Sequence, residues 1–347
     1  MPELIVTNFN RNFTGVSATA AGVTRAHLAR YDLRLAGQPL PGCPEPISRR
    51  AATRASRRPP PGQSVTIWHV RRNTEMRAAL WARDVLRLPV RIVFTSAAIR
   101  RHSGFPRWLI SRMDAVIATS DTAASFVPHV KAIVPHGVDT RLYAPAPERD
   151  VTWHASGYPG ARGIATIGRI RPEKGTDRFV EAMLRLLPEY PDVTGLVIGR
   201  AAKADQPYLD DLKAKTAASG LGDRLLFVGE IPAPDLPNIL PGLTALVQLP
   251  RYEGYGMVPL EGMASGVPFV ATDQGYYRSF SGQGQAGLIV PEDDSHAVAR
   301  TLDALLSSPE RHAAMARSAR QVAETHFSVQ AEADAIGSVY EALRAPG

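Results

Sequence analysis

Short apolar runs of three to five residues recur along the chain, separated by longer stretches in which apolar positions return every three or four residues. In the first half the runs are 4–7, 65–68, 90–94, 115–118 and 132–134; in the second they are 164–167, 194–198, 225–228, 245–249 and 268–271. None of them alternates apolar with polar residues, so each predicts a strand buried on both faces. Segments of helical period, such as 176–187, 208–218 and 295–306, lie between most of them. Strand–helix alternation of this kind predicts parallel sheets covered on both sides, and two such series predict two doubly wound α/β domains. The break falls at Tyr143-Ala-Pro-Ala-Pro-Glu-Arg-Asp150, a proline-rich polar stretch. The expected domains are therefore 1–148 and 149–327. A final segment, 328–347, carries a helix at 329–343 that is expected to pack back on the first domain. Residues 40–63 read as a loop rich in Pro and Arg, with a short helix over 48–58 that sets Arg50, Arg54 and Arg57 on one side.

The bulk composition narrows the class. The chain has 347 residues, 44% of them hydrophobic and 21% charged, which is globular and not disordered. No apolar run reaches the length of a membrane span, and the N-terminus lacks the basic-then-apolar order of a secretory leader. A single cysteine, Cys43, excludes an internal disulfide framework. The expected compartment is the cytoplasm. The formal charge of +7 is unevenly spread: residues 1–150 hold 22 Lys+Arg against 10 Asp+Glu, and the remainder holds 18 against 23. Nearly all the basic residues of the first half are arginines, which grip phosphates and carboxylates in bidentate fashion. Nucleic acid, an anionic membrane surface, an acidic glycolipid and a merely solvated basic face all fit that charge.

Candidate chemistry lies where each strand ends, because ligands of doubly wound sheets bind at the carboxyl ends of the strands. The run Glu253-Gly-Tyr-Gly-Met-Val-Pro-Leu-Glu261 places two carboxylates eight positions apart. A continuous helix would separate their Cα atoms by roughly 12 Å. Gly254 and Gly256 permit a bend before a helix at 257–265, so that both acids can face one ligand while the first helical amides point at an anion. After the strand at 164–167 comes Arg169-Ile-Arg-Pro-Glu-Lys174-Gly175-Thr176, with Thr176 as the expected helix cap. Arg169 and Lys174 near a helix start oppose its dipole, so a bound diphosphate explains them better than solvent does. Gly15, after the first strand, could let the backbone approach a phosphate. His69, Arg71 and Arg72 follow one strand of the first half, and Ser96, Arg100, Arg101 and His102 follow the next; together they suggest a site for an anionic acceptor. Gly282-Gln-Gly284-Gln-Ala-Gly287 fits the G-x-G-x-x-G pattern, but it neither follows a strand nor opens a helix, so it reads as a turn. No metal-ligating pattern is present, and neither metal nor cofactor is expected.

With these residues in view, the chain resembles the family 4 retaining glycosyltransferases. The resemblance rests on Ile167-Gly-Arg-Ile-Arg-Pro-Glu-Lys-Gly-Thr176, on Phe227-Val-Gly-Glu230, and on the E-x7-E run with its continuation Gly262-Met-Ala-Ser-Gly-Val-Pro268. In the first half, Ile67-Trp-His-Val-Arg-Arg-Asn-Thr-Glu-Met76 and Met113-Asp-Ala-Val-Ile-Ala-Thr-Ser120 look like the narrower group of alphaproteobacterial lipopolysaccharide-core mannosyltransferases, which use GDP-mannose. The resemblance implies the GT-B fold, two facing Rossmann-like domains with a cleft between them. It implies that Arg169 and Lys174 bind the donor diphosphate, that Glu253 faces the donor sugar and that Glu261 holds the ribose. By the same resemblance, the amides of Gly254, Tyr255, Gly256, Met257 and Val258 hold sugar and phosphate. Gly229, Glu230 and Ile231 read the base, and Gly15 approaches the phosphates from the other domain. One departure is visible: family members commonly carry an acid where this chain reads Gly275-Tyr-Tyr-Arg-Ser-Phe280.

The expected activity is retaining transfer of a hexose, mannose from GDP-mannose first among them, to a lipopolysaccharide core or related anionic glycolipid. The enzyme would work as a peripheral protein at the inner face of the cytoplasmic membrane, without nucleic acid as a partner. A nucleotide-sugar epimerase, or a hexosyltransferase using a UDP-sugar, shares the fold and stays open. A basic nucleic-acid-binding protein is the non-enzymatic alternative, weakened by the lack of aromatics interleaved with the basic runs.

Overall fold

The computed structural model describes residues 1–12 and 14–344. The chain folds as two compact units: Met1–Gly137 together with the segment from Phe327 onward, and Val138–His326. The change of unit falls about ten residues before the expected one because residues 138–148 pack into the second unit. The carbonyls of Thr140 and Tyr143 accept hydrogen bonds from Arg320, and Pro145 lies under Gly266. Proline richness therefore marks a rigid strap here and not a linker.

The first unit holds six strands: β1 (Leu4–Asn8), β2 (Leu33–Gly37), β3 (Thr66–Val70), β4 (Val90–Ser96), β5 (Ala115–Ala118) and β6 (Val130–Ile133). They form one parallel sheet in the order β2-β1-β3-β4-β5-β6. One face of that sheet packs Trp68, Val70, Ile92 and Phe94 against Met76 and Leu80 of helix Asn73–Leu80 and against Leu109 and Ile110 of helix Gly104–Ser111. The other packs Leu4, Val6, Ile67 and Val93 against Val23 of helix Gly15–His27 and against Ile336, Val339 and Tyr340 of helix Val329–Arg344.

The second unit repeats the scheme with β7 (Arg162–Ile167), β8 (Val193–Ile198), β9 (Leu225–Gly229), β10 (Leu243–Gln248), β11 (Phe269–Thr272) and β12 (Gly287–Val290). Its parallel order is β12-β11-β10-β7-β8-β9. Helix Thr176–Leu186 shows how the pattern becomes packing: Phe179, Met183 and Leu186 recur at helical spacing and are all buried against the sheet. Each such burial stabilises the unit by roughly 1.5–3 kcal/mol. The sequence pattern had not singled out β2 and β12. Both are edge strands, where a short run with one open side needs less apolar character. Of the 282–287 glycine run, residues 282–286 lie in the expected turn between helix Tyr277–Phe280 and β12, and Gly287 opens that strand.

In each sheet the first strand has neighbours on both sides, so the connections diverge beside it. These divergence points lie between β7 and β10 in the second unit and between β1 and β3 in the first. The crevice at the carboxyl end of such a point is where a doubly wound sheet takes its ligand.

Candidate active site

The divergence point of the second unit carries the cations expected of it. Beyond β7, Gly168 has a φ of +154° and no atom near where a Cβ would stand. Gly199 at the end of β8 lies so close that a Cβ there would sit 1.8 Å from the Gly168 carbonyl oxygen. The floor of the crevice is thus bare backbone. Arg169 is exposed and, among the described residues, has no ion-pair partner. The chain then makes a single turn, Pro172–Lys174, and enters helix Thr176–Leu186. The cap of that helix is Gly175, not Thr176 as the sequence suggested. Gly175 has a φ of +68°, and Thr176 is already helical and buried. A Cβ at Gly175 would lie 1.9 Å from the carbonyl oxygen of Leu249, just past β10. Glycine is required by both conformation and space. Glycine supplies no capping oxygen, and of the first helical amides that of Asp177 donates to the Tyr208 hydroxyl at 2.9 Å. Gly175→Ala is expected to destabilise the second unit by about 3 kcal/mol, whereas Gly254→Ala, with nothing near its Cβ, is expected to be nearly neutral. Thermal unfolding of the two variants side by side checks this.

The helix start is braced from β10. Arg251 donates to both carboxylate oxygens of Asp177 at 2.9 and 2.6 Å, and the Tyr208 hydroxyl donates to the same carboxylate at 2.8 Å. Burial raises the Asp177 pKa, but these hydrogen bonds outweigh it and hold the carboxyl below its usual range. Neither Arg251, Asp177 nor Tyr208 was recognisable from sequence, because their contacts join segments 31 to 74 residues apart.

Lys174 and Glu253 form one centre. Lys174 Nζ lies 2.5 Å from Glu253 Oε2, and Glu253 Oε1 accepts from the Gly254 amide at 3.0 Å. The loop that carries Glu253 is clamped by the aromatic run that departs from the family pattern. The Tyr276 amide donates to the Tyr255 carbonyl, and the two rings stack at 5.2 Å. Gly275 passes so close that a Cβ would lie 2.6 Å from that carbonyl and 3.0 Å from Glu253 Cγ. Tyr277 is fully buried, and a Cβ at Gly256 would lie 2.2 Å from its ring. Burial, with Glu253 nearby, pushes the Tyr277 hydroxyl well above its usual range, so it stays protonated. Gly256, at a φ of +86°, caps helix Met257–Ala264 without a side-chain oxygen. Met257 and Val258 therefore stand in an uncapped first turn.

Glu261 lies one turn further along that helix, half-buried. Burial raises its pKa to about 7, against the hydrogen bond from the Tyr143 hydroxyl, which lowers it. Tyr143, in turn, is pushed up by burial and by the Glu261 charge. Beyond β7 and β8 a cavity of about 280 Å³ is lined by Gly168, Arg169, Gly199, Arg200, Glu230 and Ile231. Gly229, at a φ of +80°, turns the chain into it. Glu230 pairs with Arg200 at 3.4 Å, but both are exposed, so the pair adds little stability.

In the first unit the expected acceptor residues divide. His69 is a correction: it is completely buried, with Nδ1 on the Tyr340 hydroxyl at 2.5 Å and Nε2 on the Thr95 hydroxyl at 2.7 Å. Burial, then Arg71 and His27, pull its pKa well below the usual range. A neutral histidine with both nitrogens occupied ties the final helix to the sheet and has no capacity left for a ligand. Arg72 donates to Asn8, Thr14, Ser17 and the buried Glu75, and so fixes the start of helix Gly15–His27. No atom stands near where a Cβ on Gly15 would be. Arg71 Nη1, Ser96 Oγ and His102 Nε2 are buried atoms without hydrogen-bond partners among the described residues. Burial, with Arg100 nearby, lowers the His102 pKa. Arg100 and Arg101 are exposed.

Residues 158–322 match the family described as glycosyl transferases group 1. Over its whole length the chain is similar to the lipopolysaccharide core biosynthesis mannosyltransferase LpcC of Rhizobium leguminosarum bv. viciae. The two are 38% identical over 343 residues, covering 98% of this chain and 96% of that protein. The corresponding mannosyltransferase LpsB of Rhizobium meliloti is 37% identical over 345 residues, covering 98% and 97%. Among solved structures, Anabaena HepE in complex with UDP matches with a TM-score of 0.81 over 98% of this chain and 100% of that one. At 16% identity the likeness to HepE speaks for the fold alone. With relatives this similar over the full length, two parallel α/β sheets and a GT-B structural neighbour, the chain belongs to the group 1 glycosyltransferases and is a glycosyltransferase of GT-B fold.

Proposed function

We propose that the protein transfers mannose, with retention, from GDP-mannose to a lipopolysaccharide-core acceptor at the inner face of the cytoplasmic membrane. The observation that carries the donor half of this reading is the pairing of Lys174 with Glu253 beside the exposed Arg169, at the divergence point of the second sheet. The diphosphate sits between Arg169 and Lys174, over the bare backbone of Gly168 and the glycine turn at Gly175. The bond from sugar C1 to the phosphate oxygen breaks, and its electron pair leaves with the diphosphate. The two cations stabilise that charge as it develops. The acceptor hydroxyl forms the new bond to C1 on the same face and gives its proton to the departing phosphate oxygen. Glu253 offsets part of the positive charge on the sugar ring, and Glu261 accepts hydrogen bonds from the ribose hydroxyls. With Arg169 and Lys174 supplying the positive charge, the reading calls for no metal and no cofactor. Mannose and the lipopolysaccharide core come from what the Rhizobium relatives are named for. The acceptor's phosphates and acidic sugars match the arginine-rich first unit.

A thermal-shift panel of nucleotide diphosphates and their sugars tests the donor. At a hundredfold excess over Kd, a ligand of the folded state adds about 2.7 kcal/mol, so GDP-mannose is expected to raise the melting temperature clearly. A shift with UDP-sugars and none with GDP-mannose would replace the donor assignment.

A further inference from the structure

The arginine surplus of the first half is concentrated in one stretch. Residues 46–114 hold fifteen arginines, no lysine and three acids, an excess of twelve that equals the whole excess of residues 1–150. The helices of this stretch lie over one face of the first sheet. Ala52, Met76, Ala82, Leu109 and Ile110 all enter the same core, whereas helices Gly15–His27 and Val329–Arg344 cover the opposite face. The outward side of the layer carries unusually large apolar groups. Trp81 is 58% exposed, Phe105 55% and Trp108 56%, and Val85 and Leu86 are exposed beside them. Phe105 and Trp108 stack on each other at 6.1 Å. The π-helical turn Trp81–Val85 is bound to the end of helix Gly104–Ser111 through Arg83, which reaches the Arg112 carbonyl and Asp114, and through Asp84 to Arg112. Arg77, Arg87 and Arg107 are exposed in the same layer. An open cavity of about 670 Å³ adjoins it, lined by Arg101, Arg107, Trp108 and residues 125–128.

Large aromatics held in the open beside a dense set of guanidiniums suit the interface of an anionic bilayer. There the rings seat at headgroup depth and the arginines meet lipid phosphate. We propose that this layer, led by Trp81, Phe105 and Trp108, is the surface by which the enzyme sits on an anionic membrane. The aromatics supply the insertion, and the arginines, including those of helix Arg49–Ala55, supply the attraction. The inference deepens the reading of a membrane-borne acceptor and rests on it. Unlike that reading, it concerns no residue of the donor site.

The four tryptophans make the test direct, because Trp68 and Trp153 are each 1% exposed and only Trp81 and Trp108 can report a change of surroundings. The intact protein is mixed with phosphatidylcholine vesicles containing about one-third phosphatidylglycerol, and with pure phosphatidylcholine vesicles. Anionic vesicles are expected to blue-shift tryptophan emission and to protect it from acrylamide, and neutral vesicles to do neither. The triple variant W81S/F105S/W108S, which changes only exposed side chains, is expected to lose vesicle binding by about tenfold or more while keeping its GDP-mannose thermal shift. Vesicle binding without a change in emission, or unchanged binding by the variant, overturns the proposal. So does a loss of self-association in the variant, or binding of duplex DNA in place of vesicles. The donor reading fails separately, if the protein docks on vesicles as described but GDP-mannose neither binds nor is consumed.

Discussion

Lys174→Ala is expected to lower kcat/KM by on the order of a thousandfold while leaving the fold in place. The fold survives because Lys174 lies on the surface of the crevice, about a quarter exposed, and Glu253 opposite it is 18% exposed. Water can reach the carboxylate that the substitution leaves behind, so the cost in stability is expected to stay near 1 kcal/mol. The loss in rate comes from a different state. As the diphosphate departs, the ammonium faces more charge than in the ground state, and only that difference accelerates the reaction. A purely structural role for the pair predicts something else. If Lys174 served only to neutralise Glu253, then Lys174→Ala/Glu253→Gln, which removes both charges, would recover activity. The double variant is expected to remain as inactive as the single one, and steady-state kinetics on the two proteins decides the matter. Recovery would show that the pair is scaffolding and remove Lys174 from the chemistry.

Glu261→Gln is expected to act in opposite directions on stability and on donor binding. The Glu261 carboxyl titrates near pH 7 in the folded chain, against about 4.3 when unfolded. Between those values the folded state holds the extra proton, so the contribution of this group to stability falls as pH rises through the window. Below about pH 4 both states are protonated and the group costs nothing. Above about pH 7 the cost is fully present, on the order of 3 kcal/mol. Glutamine does not ionise and keeps an oxygen for the Tyr143 hydroxyl. The variant should therefore match the parent in acid and exceed its stability increasingly from pH 5 to pH 8. Its donor affinity should fall by about tenfold or more, because an amide is a weaker acceptor for two ribose hydroxyls than a carboxylate. In the parent, donor affinity should rise from pH 6 to pH 8 as the carboxylate forms. Denaturation curves at several pH values, with donor titrations alongside, read both effects. Equal pH dependence of stability in the two proteins would mean that Glu261 is not the group that titrates.

These two acids show how far the sequence could be followed. Spacing around Gly254 and Gly256 predicted that Glu253 and Glu261 would share a bend and a helix start, and the structure has that bend at Gly256. Spacing could not show that Glu253 is ion-paired with a lysine 79 positions earlier, or that Glu261 meets a tyrosine from the proline-rich strap. His69 shows the reverse error. A histidine beside two arginines at a strand end resembled a ligand residue, yet its partners are a core threonine and a tyrosine 271 residues away. Gly275-Tyr-Tyr read only as a departure from the family pattern. In the fold Tyr276 and Tyr277 hold the Glu253 loop, a role that depends on ring packing no linear pattern encodes.

By itself the sequence determined the two parallel α/β sheets, the helix starts that follow β7 and β10, and the arginine surplus of residues 46–114. Each of these is written in local periodicity, in glycines and in charge, which act over a few neighbouring residues. Tertiary structure alone decided which charges are paired, which titrate near neutrality and which aromatic side chains remain in the open. Those properties depend on burial and on partners tens or hundreds of residues away, and they exist only once the sheets have brought the strand ends together.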